Sequence, residues 1–124
     1  MIHWLAIALG GALGSVLRYA VSTGVHQWWG REFPYGTLVV NVLGSLLMGV
    51  LFILLVERLA VAPALRAFWL VGLLGAFTTF STFSLETLNL MQAGELGRAA
   101  ANVLLSVLLC IGAAAIGIAL GRQL

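Results

Sequence analysis

The sequence predicts an all-α membrane protein with four transmembrane helices per subunit. Three observations carry that class. Of the residues, 62% are hydrophobic and only 8% are charged, whereas soluble domains carry about 25% charged residues. Mean hydropathy is +1.12. The apolar residues also fall into four blocks, each near the ~20 residues that a helix needs to cross a bilayer. The 124 residues read as one domain, 1–124, with spans near 4–25, 36–56, 67–91 and 98–120.

The first span, Trp4 to Val25, opens on an interfacial Trp and ends near Trp28 and Trp29. Its small residues Gly10, Gly11, Gly14 and Ser15 let another backbone approach closely. Arg18 lies inside it. The loop Gly30 to Tyr35 holds Pro34 and suits a membrane interface. In the second span, Gly36 to Val56, Asn41, Gly44 and Ser45 share one helical face that is built for contact rather than for lipid. After Glu57, Arg58, Pro63 and Arg66 comes the third span, Ala67 to Met91. At ~1.5 Å per residue it is longer than an unbroken crossing requires. The fourth span, Arg98 to Leu120, repeats Asn102, Ser106 and Cys110 every fourth residue.

The third span is the unusual one. Phe77 to Ser84 holds five hydroxyl residues and three phenylalanines in eight positions. Ser and Thr compete for backbone hydrogen bonds, so this run is expected to weaken or break the helix at membrane depth. Broken backbone there is tolerated only when it is buried in protein or lines a wet cavity. A kinked, close-packed helix with hydroxyls bonded to its own carbonyls is the alternative.

Composition excludes several classes. The six cations are all Arg and the four anions all Glu, and no basic cluster exists to hold nucleic acid. Cys110 stands alone, which rules out a disulfide or cysteine metal site within one chain. His3 and His26 sit at span ends as interfacial side chains. The N-terminus lacks a charged segment followed by a small-residue cleavage site, so its apolar block reads as a retained span. No Ser-His-Asp set, paired carboxylates or phosphate loop is present, so the chain is not expected to be an enzyme.

Four spans put both termini on one side. That side carries Arg58, Arg66 and Arg122, and the other Arg31 and Arg98. So small a bias allows insertion both ways, and with it pairing of two opposed copies about an axis in the membrane plane. Arg18 and Glu86, ionisable and within spans, are site candidates by default. The neutral donors Asn41, Thr79, Ser81, Thr82, Asn102 and Ser106 come from three spans. A dehydrated small anion needs donors, and the positive edges of Phe80 and Phe83 suit it too.

These residues carry a resemblance. The sequence is similar throughout to the Fluc (CrcB) fluoride channels. The motifs are Gly10-Gly11-Ala12-Leu13-Gly14-Ser15 with Arg18-Tyr19, Pro34-Tyr35-Gly36-Thr37-Leu38 with Asn41-Val42-Leu43-Gly44-Ser45, and Gly75 to Ser84 with Glu86. The last is the most specific. The resemblance implies a third helix broken mid-membrane and an inverted, antiparallel homodimer with two pores in the bacterial plasma (inner) membrane. It implies passive, selective export of fluoride that has entered as its neutral acid. It implies that Phe80, Phe83, Asn41, Ser81, Thr82 and Glu86 line the pore and that Arg18 sits in a vestibule. It also implies a structural sodium ion held by the backbone carbonyls of Gly75 and Thr78. In the fourth span, Asn102 and Ser106 match the family's polar positions, while Cys110 replaces a frequent hydroxyl.

A small proton-coupled drug exporter is the main rival class. Its coupling needs an acid in the first span, where this chain has only Arg18. A scaffold protein would not need clustered donors.

Overall fold

The computed structural model describes residues 1–124. Helix α1 (Ile2–Trp29) forms the first pass. Helix α2 (Tyr35–Phe52) runs on into a π-helical segment, Ile53–Arg58, in the second. The third pass contains α3 (Pro63–Arg66), a second π-helical segment (Ala67–Leu73), α4 (Leu74–Phe77) and α5 (Phe80–Gln92). Helix α6 (Leu96–Gln123) is the fourth. All four passes, Ile2–Trp29, Tyr35–Arg58, Pro63–Gln92 and Leu96–Gln123, are long and apolar enough to cross a membrane.

Each pass overruns its expected apolar block by several residues. A helix satisfies its backbone internally, so amphipathic ends such as His26 to Trp29 extend it into the interface without leaving orphaned groups. Tight stops then turn the chain. Gly94, at φ 80°, closes α5 with Glu95 N–H donating to Leu90 O at 2.8 Å. Only this short connection separates α5 from α6. Ala60 makes the corresponding stop after the second pass at φ 47°, a left-handed conformation that costs a non-glycine residue about 1 kcal/mol.

The ends of the passes confirm the up-and-down order. Arg98 at the start of α6 lies 3.8 Å from Glu32 in the first loop and 3.9 Å from Glu95. At the opposite end, Arg58 donates to the terminal Leu124 O. Both chain termini therefore lie at the end that holds the Arg58–Arg66 loop.

Close packing at glycine holds the passes together. Helices α2 and α6 pair extensively, where Gly49 lies against Ala114 and Gly117, and Gly117 against Leu46 and Val50. Helix α1 meets the third pass in the same way, with Gly10 and Gly14 against Phe68, Gly72 and Leu73. Only 23 of the 124 residues are buried. Most apolar side chains face outward, as lipid or a second protein surface requires.

Candidate functional site

The site is built around an interruption in the third pass. Helix α4 ends at Phe77, and Thr78 and Thr79 are extended, at φ −87°, ψ 154° and φ −150°, ψ 116°. Two local features produce this. The Thr78 hydroxyl bonds back to Leu74 O at 3.0 Å, the same carbonyl that accepts the Thr78 N–H at 3.1 Å. The Thr79 hydroxyl accepts the Thr82 N–H at 3.3 Å and so caps the start of α5. Gly75 remains within α4.

The extended pair is clasped from α2. Asn41 Oδ1 accepts the Thr79 N–H at 2.8 Å, and Asn41 Nδ2 donates to Thr79 O at 3.1 Å. One side chain thus takes both backbone groups of one residue, as a neighbouring β-strand would. Gly44, one turn further along α2, lies against the Thr78 methyl and the Phe77 ring, where any side chain would collide.

A cavity of about 400 Å³ opens at this point. Asn41, Thr78, Thr79, Phe80, Phe83 and Ser106 line it with Gly44, Ser45 and Cys110, and Met48, Val107, Ile111 and Ala114 add apolar lining. No acid and no formal positive charge lines it. The N-terminus of α5 opens onto it, and helix N-termini favour anions. Asn41 keeps one amide N–H beyond its clasp. Phe80 and Phe83 pack at 5.3 Å between ring centroids, tilted by 48°. Phe83 is buried, whereas Phe80 is 77% exposed.

Six of the sequence-selected residues therefore meet at one cavity. Others do not reach it. Ser81 and Thr82 belong to the hydroxyl cluster around Thr79, at 3.4 and 3.1 Å from its Oγ1, but do not line this cavity. Asn102 is only 2% exposed and sits behind Ser106. Glu86 lines a separate cavity of about 250 Å³ with His26, Arg31, Glu32, Pro34, Asn89 and Leu90. Arg18 is half-buried on α1 and lines neither. Arg18 and Glu86 form no ion pair within the chain, and Arg18 Nε and Glu86 Oε1 are buried without partners.

The family model described as "CrcB-like protein, Camphor Resistance (CrcB)" matches residues 5–118. The chain belongs to this family. The chain is similar to a "Fluoride-specific ion channel FluC" of Magnetococcus marinus, 60% identical over 121 residues, 98% of this chain and 97% of that one. The protein of the same name from Coxiella burnetii is 54% identical over 97% of this chain and 98% of its own. That of Methylococcus capsulatus is 57% identical over 96% of this chain, which spans 52% of that longer relative. The family suggested by the Gly75 to Ser84 run is the one that matches. With four apolar membrane-length helices, this CrcB-like chain is a multi-pass membrane protein.

Thr87 escaped the sequence reading. It is buried on α5, donates to Phe83 O at 2.7 Å and accepts from Asn102 Nδ2 at 2.9 Å. Its spacing of four from Phe83 and seven from Phe80 was the available signal, because residues so spaced share a helix face.

Proposed function

We propose that this CrcB-like protein is a fluoride-selective channel that lets cytoplasmic fluoride leave passively, down its electrochemical gradient, and so protects the cell. The observation that carries this reading is near-full-length identity to relatives named as fluoride-specific channels. The site's chemistry supports it. The cavity offers amide and hydroxyl donors, a helix N-terminus and two phenyl rings, and it holds no acid that would repel an anion. Phe80 and Phe83 line the pore with Asn41, Thr79 and Ser106. Ser81 and Thr82 support the cap, Arg18 attracts anions in a vestibule, and Glu86 stands near a mouth.

The working unit is an inverted homodimer with two pores, in the bacterial inner membrane, and the third helix breaks at mid-membrane. Phe80 supports the pairing. A ring 77% exposed on one chain encloses a pore only when another surface covers it. Cysteine labelling of each terminus from both sides should find both orientations, and a single orientation would end this arrangement.

A structural sodium ion fits the break. In an unbroken helix, Gly75 O and Thr78 O would accept the N–H groups of Thr79 and Thr82. Those donors go instead to Asn41 Oδ1 and Thr79 Oγ1. Two hard carbonyl oxygens are thereby released, a donor type suited to a hard cation. A second copy would double the set. Dimers should dissociate in sodium-free buffer, and unchanged assembly there would remove the ion from the proposal.

Reconstituted in liposomes, the protein should release fluoride rapidly down its gradient and retain chloride. No fluoride release would refute the channel. Phe80→Ile should cut the flux at least about tenfold, equivalent to about 1.4 kcal/mol, while dimers persist. Normal flux would take Phe80 out of the pore.

A further inference from the structure

Four hydroxyls of this chain follow one rule. Ser15, Thr78, Ser84 and Thr87 each donate to the backbone carbonyl four residues earlier, at 2.7 to 3.0 Å. Ser106 does not. Its hydroxyl donates to the side-chain Oδ1 of Asn102, at 3.5 Å. That contact is long and weak, and Ser106 lines the cavity at the break.

The cause lies one residue deeper. The single proton of Thr87 is committed to Phe83 O at 2.7 Å. Thr87 therefore has only lone pairs to offer Asn102, which must turn its NH2 toward it, and does so at 2.9 Å. Asn102 Oδ1 is then left facing Ser106. Thr87 and Asn102 are buried and, unlike Ser106, do not line the cavity, so water does not substitute for a missing partner between them, and an unsatisfied group there is costly.

We infer that Thr87 is a positioning residue for the pore. Its hydroxyl fixes the amide orientation of Asn102, and that orientation keeps the Ser106 proton on a weak bond from which it turns to an anion in the cavity. This rests on the fluoride-channel reading of the cavity. Without the Thr87 acceptor, the Asn102 amide reverses and donates its N–H to Ser106. The Ser106 proton then falls back on the carbonyl four residues earlier, the ordinary partner of a helical serine, and is withheld from the anion.

The test compares shape with hydroxyl. Thr87→Val keeps the shape and loses the acceptor, and it should lower fluoride flux in liposomes about tenfold with dimers intact. Thr87→Ser restores the hydroxyl and should stay within about twofold of the parent chain. Hydrogen exchange of the Asn102 side-chain amide, read by NMR, should be slow in the parent and Thr87→Ser proteins and at least about tenfold faster in Thr87→Val. Parent flux in Thr87→Val overturns the inference, and so does reduced flux with unchanged amide exchange. If Thr87→Val does not assemble, Thr87→Cys, a poor acceptor of similar size, is judged by the same outcomes. If the parent chain itself releases no fluoride, the channel reading fails, while the exchange contrast still decides whether Thr87 orients Asn102.

Discussion

Asn41→Leu is expected to abolish fluoride release from liposomes, a loss of at least about a hundredfold, equivalent to about 2.7 kcal/mol. Leucine matches asparagine closely in size, so the substitution removes hydrogen bonds and little else. Both lost bonds serve the same residue, since Asn41 Oδ1 holds the Thr79 N–H and Asn41 Nδ2 holds Thr79 O. A fully buried group left unpaired costs about 1–3 kcal/mol, and these two bonds are part-buried, so the extended pair Thr78 and Thr79 loses less than about 6 kcal/mol of support. The cheapest response is to re-form the helix, with Thr79 N–H returning to Gly75 O. That closes the break, withdraws a carbonyl from the proposed sodium position and moves the Thr79 cap away from the start of α5. Asn41→Asp keeps the acceptor for Thr79 N–H, but it loses the donor and brings a negative charge to an anion path. It should be no better than leucine. Parent flux in Asn41→Leu would show that the break holds itself open.

The clasp shows what could be read in the sequence and what could not. The Phe77 to Ser84 run identified the unusual segment because hydroxyls so dense conflict with a plain membrane helix. Its spacing could not say where the backbone would extend. That depends on Asn41, 38 positions earlier in the chain, whose amide competes with Gly75 O for one N–H. A long-range contact of this kind leaves no local periodicity. The same holds for Asn102. As a neutral donor on a helical repeat it was readable as a site candidate, but its partner Thr87 lies on another helix. The four passes were readable because hydropathy alone sets them. Their ends were less so, because amphipathic residues such as Trp28 and Trp29 are equally at home in the last helical turns and in a loop. Phe80 and Phe83 were legible as a pair three residues apart. Their different exposures follow from neighbours that the spacing does not contain.

The second large effect concerns assembly of the chain itself. Lipid is as apolar as leucine, so helices in a membrane gain little from hydrophobic burial and depend on close van der Waals contact. The α2–α6 pairing obtains that contact through Gly49 and Gly117. A Cβ on Gly117 would strike the Leu46 carbonyl and lie 3.1 Å from Val50 N. These are backbone atoms, which no side-chain rotation moves away, so even one methyl forces the helices apart. Against this stands the better helix propensity of alanine, worth about 1 kcal/mol. Overpacking costs typically about 1–3 kcal/mol, so Gly117→Ala should be mildly destabilised. Gly117→Val adds bulk at the same collision and has no comparable propensity gain, so it should yield no monodisperse protein in detergent. Gly112 on the same helix supplies the control, since a Cβ there meets nothing within 4 Å. Gly112→Ala keeps the propensity gain without the collision and should unfold at or slightly above the parent temperature. A monodisperse Gly117→Val protein with the parent melting temperature would mean that α2 and α6 separate at little cost. The glycines would then be set by something other than helix contact.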